Sequence, residues 1–288
     1  MSSAVNLRHA YKRVRANGGA PGVDGMPVEA LQDWLAANQI LLAASLRDES
    51  YRLAPVRGVA IPKPGVGVRQ LGIPTVVDRL VQQAILQVLD PWLDPTFSES
   101  SYGFRPKRRA HHALHQAAQY VAEGYGIVVD VDLEQFFDRV NHDLLMARLA
   151  QHVREKRLLG LVRDFFRSES YATGFALNGT RGPRKGGRSR RYFFLGYRLR
   201  EDKTLAVASQ SLARVKSRIR QMTGRMRGVS LKRVIYDLQE SLPGWVTYFR
   251  YEKYKILVFR SLDQWIRRRL RCYVLKRKKR SYTVACYL

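Results

Sequence analysis

The sequence predicts an α+β fold, rich in helix and carrying small antiparallel sheets. Apolar residues recur at three- and four-residue steps over long stretches, best across 77–92 and three more times beyond residue 209. Between these stretches lie short alternating segments broken by Gly and Pro, which read as hairpins. With 288 residues and 45% apolar content, the chain can build two modest domains or one large one. The third observation is charge. There are 51 Lys and Arg against 24 Asp and Glu, a net of +27, and residues 181–288 hold 30 against 6 of these, a net of +24. A field that strong on one part of a chain calls for a polyanion, and nucleic acid is the usual one. No apolar run approaches the ~18–20 residues of a membrane span, and the N-terminus has no signal-peptide pattern. Cys272 and Cys286 have no partners at metal-ligand spacing. No zinc site is therefore expected, and reduced thiols in a cytoplasmic protein are.

Taken in order, residues 5–17 have a helical pattern, and NGGAPGVDG then breaks any regular element. Residues 27–46 are helical again. Residues 51–61 alternate like a strand, and IPKPGVGVRQLGIP reads as a hairpin between Ile61 and Ile73. Lys63 and Arg69 flank its Gly-rich tip, a pairing that suits a polyphosphate or simply a solvated turn. Thr75-x-x-Asp78 has the form of a capping box opening a helix whose core stripe runs from Val77 to Trp92. DPWLDP is expected to end it. SESSYGFRPKRRAHHA follows, with Arg105, Lys107, Arg108 and Arg109 beside Tyr102 and Phe104, a mixture suited to backbone contacts and stacking on nucleic acid. His111, His112 and His115 lie on the next helix, 110–121. Without a third ligand nearby they read as surface or core histidines.

The stretch IVVDVDLEQFFDRVNHDLL is the chemical centre of the sequence. Residues 128–132 read as a buried strand on which Asp130 and Asp132 share a face. Two carboxylates there need a cation or donors to meet them, and Mg²⁺ favours one or two carboxylates with phosphate oxygens. A strand-end Asp capping a turn is the plainer alternative. Asn141 reads as the N-cap of a helix through Leu144, Leu145 and Leu149, and a further helix should reach about Phe166. Residues 168–191 then lose periodicity and end in a Gly/Arg tract containing Arg184 and Lys185, which reads as a basic linker able to touch RNA. YFFLGYRLR reads as one strand and KTLAVAS as its hairpin partner. Three helices close the chain: one capped by Ser209, one capped by Ser230 and kinked or split at Pro243 and Gly244, and one over 256–280. The last carries Arg267, Arg268 and Arg271 with the run Lys276, Arg277, Lys278, Lys279 and Arg280, more cation than solubility needs, so phosphate binding is expected there.

Several of these stretches, in this order, resemble the reverse transcriptases (maturases) encoded within bacterial group II introns. The resemblance rests on GAPGVDG, IPKPGVGVRQLGIPTVVDRLVQQAI, FSESSYGFRP and VVDVDLEQFFDRVNHDLLMARL, then on FFLGYRL, LPGWVTYFRY and LDQWIRRRLRCY, and covers roughly residues 5–167 and 191–280. It implies a polymerase right hand: fingers over 1–110, a palm over 111–203 that includes the basic linker, and a helical thumb or maturase-specific region over 204–288. It implies RNA-directed DNA synthesis by Mg²⁺-dependent nucleotidyl transfer, with an RNA template, a DNA primer and intron RNA as partners. By match of motif, Asp132 would be the palm aspartate that binds the catalytic Mg²⁺, with Asp130 beside it. Lys63 and Arg69 would contact the triphosphate of the incoming nucleotide, and Phe137 would gate against a ribose 2′-hydroxyl.

One departure changes the expected function. The family's Tyr-Ala-Asp-Asp hairpin and Pro-Gln-Gly stretch do not occur, and no Asp-Asp pair exists anywhere in the chain. Two-metal phosphoryl transfer needs ions ~4 Å apart and held from both sides. Asp130 and Asp132 by themselves leave an ion underligated, so the palm is read as truncated and polymerase activity as lost. The alternatives are a non-catalytic RNA-binding maturase remnant and an internally deleted, non-functional copy. Oligomeric state is not set by the sequence.

Overall fold

Side-chain oxygens stand where several helices begin. Ser3, Thr75, Asn141 and Ser230 each accept a hydrogen bond from a backbone N–H three residues on, at 3.3, 3.1, 3.0 and 3.2 Å. Each satisfies one of the donors that a helix start leaves open. In the computed structural model, which describes residues 1–62, 68–125, 140–172, 192–200, 204–224 and 227–277, these caps open α1 (Ala4–Asn17), α3 (Val76–Leu93), α5 (His142–His152) and α8 (Leu231–Tyr248). The other helices are α2 (Leu31–Arg47), α4 (Ala110–Ala122), α6 (Lys156–Ala172), α7 (Ser209–Met222) and α9 (Lys255–Arg277). Strands β1 (Arg57–Pro62) and β2 (Val68–Ile73) form one antiparallel sheet. Strands β3 (Tyr192–Phe194), β4 (Tyr197–Leu199) and β5 (Leu205–Val207) form a second, in that spatial order. Long helices with small antiparallel sheets make this the α+β fold that the sequence predicts. The chain divides into two compact units, Met1–Ser101 with Asp132–Pro183, and Tyr102–Val131 with Arg184–Leu288.

In the first unit, α1 and α3 supply most of the core: Leu7, Ala10 and Val14 meet Leu80, Val81 and Ala84. Leu31 and Leu42 of α2 and Leu158 and Phe165 of α6 complete it. The capping box is real but rewired. Asp78, shorter than the usual Glu, accepts from the Thr75 hydroxyl at 2.6 Å, the Tyr51 hydroxyl at 2.8 Å and the Ala54 N–H at 3.3 Å. That is why the strand begins at Arg57 and not near Tyr51: the polar groups of 51–54 go to the start of α3 instead of a ladder. The GAPGVDG loop is pinned to the same place. Arg79 donates to the Gly18 and Ala20 carbonyls at 3.2 and 2.8 Å. A Cβ on Gly22 would lie 2.7 Å from Thr75 Cα, so only glycine permits that approach.

Trp92 is not core. It is 69% exposed. Helix α3 has 18 residues and its partner α1 has 14, so at 1.5 Å per residue α3 outruns its partner by about one turn. Nor does DPWLDP end the helix at once: Pro91 falls in the last turn, where a proline forfeits one backbone hydrogen bond without stopping it. Helix α6 likewise reaches Ala172, six residues past the expected end.

In the second unit YFFLGYRLR is a hairpin of its own. Leu195 and Gly196 turn at φ of 49° and 80°, the two positive values a two-residue hairpin wants, and β4 then pairs with β5 as expected of KTLAVAS. The sheet packs Tyr197, Leu199, Leu205 and Val207 against Leu114 of α4 and Phe249. Helices α7, α8 and α9 pack about Val215, Ile219, Val234, Leu238, Leu262 and Tyr273. Ser209 is not a cap. The N-cap is Ala208, which follows β5 directly, and it carries no capping side chain. Helix α8 runs on as one element past Pro243 and Gly244.

Candidate nucleic-acid interface

Burying one stripe of α7 and α9 leaves their cations on the outside. Lys216 and Arg220 are one turn apart on α7, and Trp265 and Arg269 one turn apart on α9. Packing brings the four together. The Lys216 amine lies 5.8 Å from the Trp265 ring centre, the Arg220 guanidinium 5.5 Å and the Arg269 guanidinium 5.3 Å. Each is within cation–π range of one half-buried indole. Arg269 is held in place by Nε donating to the Thr223 hydroxyl at 2.7 Å, which itself donates to the Ile219 carbonyl at 2.6 Å. Three positive charges on one ring repel each other, and an anion placed among them relieves that repulsion. Two of the unit's carboxylates have other partners: Asp237 pairs with Arg227 and Arg233 at 3.0 and 2.9 Å, and Asp263 with Arg267 at 2.8 Å. Further cations lie over exposed aromatics, Arg233 over Tyr236 at 5.5 Å and Arg250 over Tyr251 at 4.9 Å. A surface of alternating cations and rings suits phosphate and base contacts.

The basic knot before α4 is built from two successive turns. Phe104 and Lys107 have φ of 54° and 59°. In the second turn Pro106 precedes Lys107 and the Arg108 N–H donates to the Arg105 carbonyl at 3.3 Å, so Lys107 occupies the position that usually wants glycine. The Arg108 guanidinium lies 5.5 Å from the Tyr102 ring centre. Arg109 is the N-cap of α4 and makes no capping bond, and the first turn holds no acid.

The LPGWVTYFRY motif proves to be a joint. The Tyr248 carbonyl accepts the Tyr197 hydroxyl at 2.5 Å and faces His111 Nε2 at 2.8 Å, while the Tyr248 hydroxyl donates to the Leu195 carbonyl at 2.8 Å. His111 and His115 also pack on the Tyr251 ring, with centres 4.6 and 5.4 Å apart. Burial raises the Tyr197 and Tyr248 phenols above the ordinary tyrosine range. Glu252, 2% exposed, takes the Val207 N–H and faces Arg200 at 3.6 Å. Among the described residues no group of three or more His, Cys, Asp or Glu could hold a metal ion, and no helix is long and apolar enough to cross a membrane.

Of the residues singled out from the sequence, Arg267, Arg268 and Arg271 lie exposed on α9, while Arg105, Lys107 and Arg108 sit in the two turns before α4. Arg69 is described by backbone alone, paired with Ile61 in the first sheet. Lys276 and Arg277 are likewise described only as backbone at the end of α9. Lys63, Asp130, Asp132, Phe137, Arg184, Lys185, Lys278, Lys279 and Arg280 lie outside the described residues. The sequence reading missed Lys216 and Arg220. Their one-turn spacing was a visible signal, but their nearness to Trp265 was not.

Known proteins place these observations. The model of the reverse transcriptase (RNA-dependent DNA polymerase) family matches residues 61–193, and that of the group II intron maturase-specific domain matches residues 212–286. Protein YkfC of Escherichia coli is 34% identical over 171 residues, covering 58% of this chain and 45% of that protein. The group II intron-encoded protein LtrA of Lactococcus lactis is 29% identical over 160 residues, 55% of this chain and 26% of that protein. Nuclear intron maturase 1 of Arabidopsis thaliana is 33% identical over 91 residues, 32% of this chain and 13% of that protein. The chain thus spans less than half the length of these curated relatives.

Proposed function

The chain belongs to the group II intron-encoded reverse transcriptases and maturases, and from that membership we propose that its basic C-terminal unit holds structured intron RNA by the phosphates while DNA synthesis has been lost. The observation that carries the binding half is the Trp265 cluster, three cations gathered on one ring in a region of net charge +24. On this reading residues 1–110 are fingers, 111–203 a truncated palm and 204–288 a thumb. Lys63, Arg69 and Phe137 belong to an ancestral nucleotide site, and an RNA template and a DNA primer are the ancestral partners. Reverse transcriptases as a family work with Mg²⁺. Here Asp130 and Asp132 are the residues that would hold it, and the absence of any Asp-Asp pair leaves them without the acids that close a two-ion site.

A filter-binding titration of group II intron RNA at several salt concentrations tests the binding half. Affinity should fall steeply as salt rises. Replacing Lys216 and Arg220 by Ala together should lower the slope of log K against log salt by roughly 1.4 to 1.8, about 0.7 to 0.9 for each phosphate no longer neutralised. Replacing 276–280 should weaken binding more than replacing Lys63 and Arg69. Salt-independent binding, or an unchanged slope in the double variant, would overturn the reading.

A further inference from the structure

Phe104 is fully exposed, at 108% of its reference surface, and its backbone is left-handed with φ of 54°. The left-handed backbone crowds the Cβ of any residue but glycine, and a ring left in water gains nothing from burial to offset that cost. The other non-glycine residues with positive φ stand, like Phe104, in turns or at a helix end, and what sets Phe104 apart from them is its bare ring. Glu49 follows the end of α2, Lys107 stands after Pro106 in a turn, and Leu195 shares the two-residue turn of a hairpin. Phe104 fills the matching place in the first turn, over 102–105, a position that glycine takes at no cost, so a glycine there would relieve the backbone. Trp92 and Ile40 are also exposed, at 69% and 85%, but on ordinary helical backbone. Tyr102, two residues away, is half-buried and has Arg108 over its ring. Phe104 has neither cover. The exposed cations Lys107 and Arg109 follow within five residues.

We propose that Phe104 is a base-stacking residue: it takes one unpaired nucleobase of bound RNA onto its open ring, and Lys107 and Arg109 neutralise the flanking phosphates. The ring face is the recognition element, so base identity matters little and pairing matters a great deal. A base inside a duplex has both faces occupied by its neighbours, whereas a splayed single-stranded base offers one. This rests on the RNA-binding reading above and adds that single-stranded segments are distinguished from paired ones.

The test uses the full chain with Phe104→Ala, Phe104→Leu, Phe104→Trp and Phe104→Gly. Fluorescence anisotropy would follow a short unstructured RNA strand, the same strand annealed to its complement, and the same strand carrying one abasic position. Phe104→Ala and Phe104→Leu should each weaken single-strand binding by on the order of tenfold or more, the usual loss for one stacked base. Phe104→Trp should retain the affinity and duplex binding should not change. Removing the base at the abasic position should shrink the difference between wild type and Phe104→Ala. Phe104→Gly should bind as weakly as Phe104→Ala while melting at a higher temperature than wild type, a split that a purely structural side chain would not give. Equal binding by wild type and Phe104→Ala, or an equal loss on duplex, overturns this inference and leaves the phosphate-led reading standing. Failure of the wild type to bind any of these RNAs while it still holds group II intron RNA overturns this inference alone, and failure on the intron RNA as well overturns both.

Discussion

The Tyr197 hydroxyl and His111 Nε2 meet at one carbonyl oxygen, that of Tyr248, and the tyrosine side chain is wholly buried. Burial is the main reason its phenol titrates above the usual value of 10.0, and the neighbouring Tyr248 adds to the effect. The sign follows from linkage. A phenol is neutral when protonated, so a folded pKa above the unfolded one contributes stability that is intact below about pH 10 and lost as the pH rises further. Denaturant midpoints should therefore fall above about pH 10. Tyr197→Phe should flatten that fall and lower stability at neutral pH by about 1 kcal/mol for the lost hydrogen bond; an unchanged alkaline slope would count against the burial argument. At this scale the sequence is a partial guide. Thr75 and Asp78 announce their pairing by spacing, whereas nothing in the string indicates that Tyr51 and Ala54 also reach that carboxylate.

Helix α4 begins badly for an isolated helix. Its N-cap is Arg109, whose side chain caps nothing, and its first turn has no acid to meet the positive end of the dipole. Arg109→Ser supplies the missing oxygen and removes the misplaced cation. Urea denaturation should show a gain of about 1 kcal/mol, with weaker RNA binding in the same variant; a loss of stability would show that Arg109 contributes packing instead. Element boundaries are legible where the chain carries a cap, as at Asn141 and Ser230, and misleading where tertiary neighbours set the end. Ser209 loses the cap position to Ala208 because β5 runs straight into α7. FFLGY reads as one strand because its turn is Leu-Gly, not the Asn-Gly pair that signals a hairpin.

For the whole molecule the proposed loss of polymerase activity rests on carboxylate count. Primer extension on an RNA template with Mg²⁺ should give no product, and any product lost on Asp132→Ala would show that another acid completes the site. The charge imbalance, the helical stripes, the hairpins and the family motifs are all properties of residue order, so the α+β class and the family could be read from the string, and so could the expectation of a polyanionic partner. The Trp265 cluster could not. Lys216 and Arg220 are ordinary surface cations until α7 packs on α9, and two helix faces more than forty residues apart in the chain meet only through the core between them. Phe104 is the complementary case. Its residue type and basic neighbours stood in plain view, but only backbone geometry and exposure, which depend on how two turns are joined, set its bare ring apart from the covered Tyr102. Residue order fixes local preference and net charge; which side chains are gathered and which are left open depends on packing between segments distant in sequence.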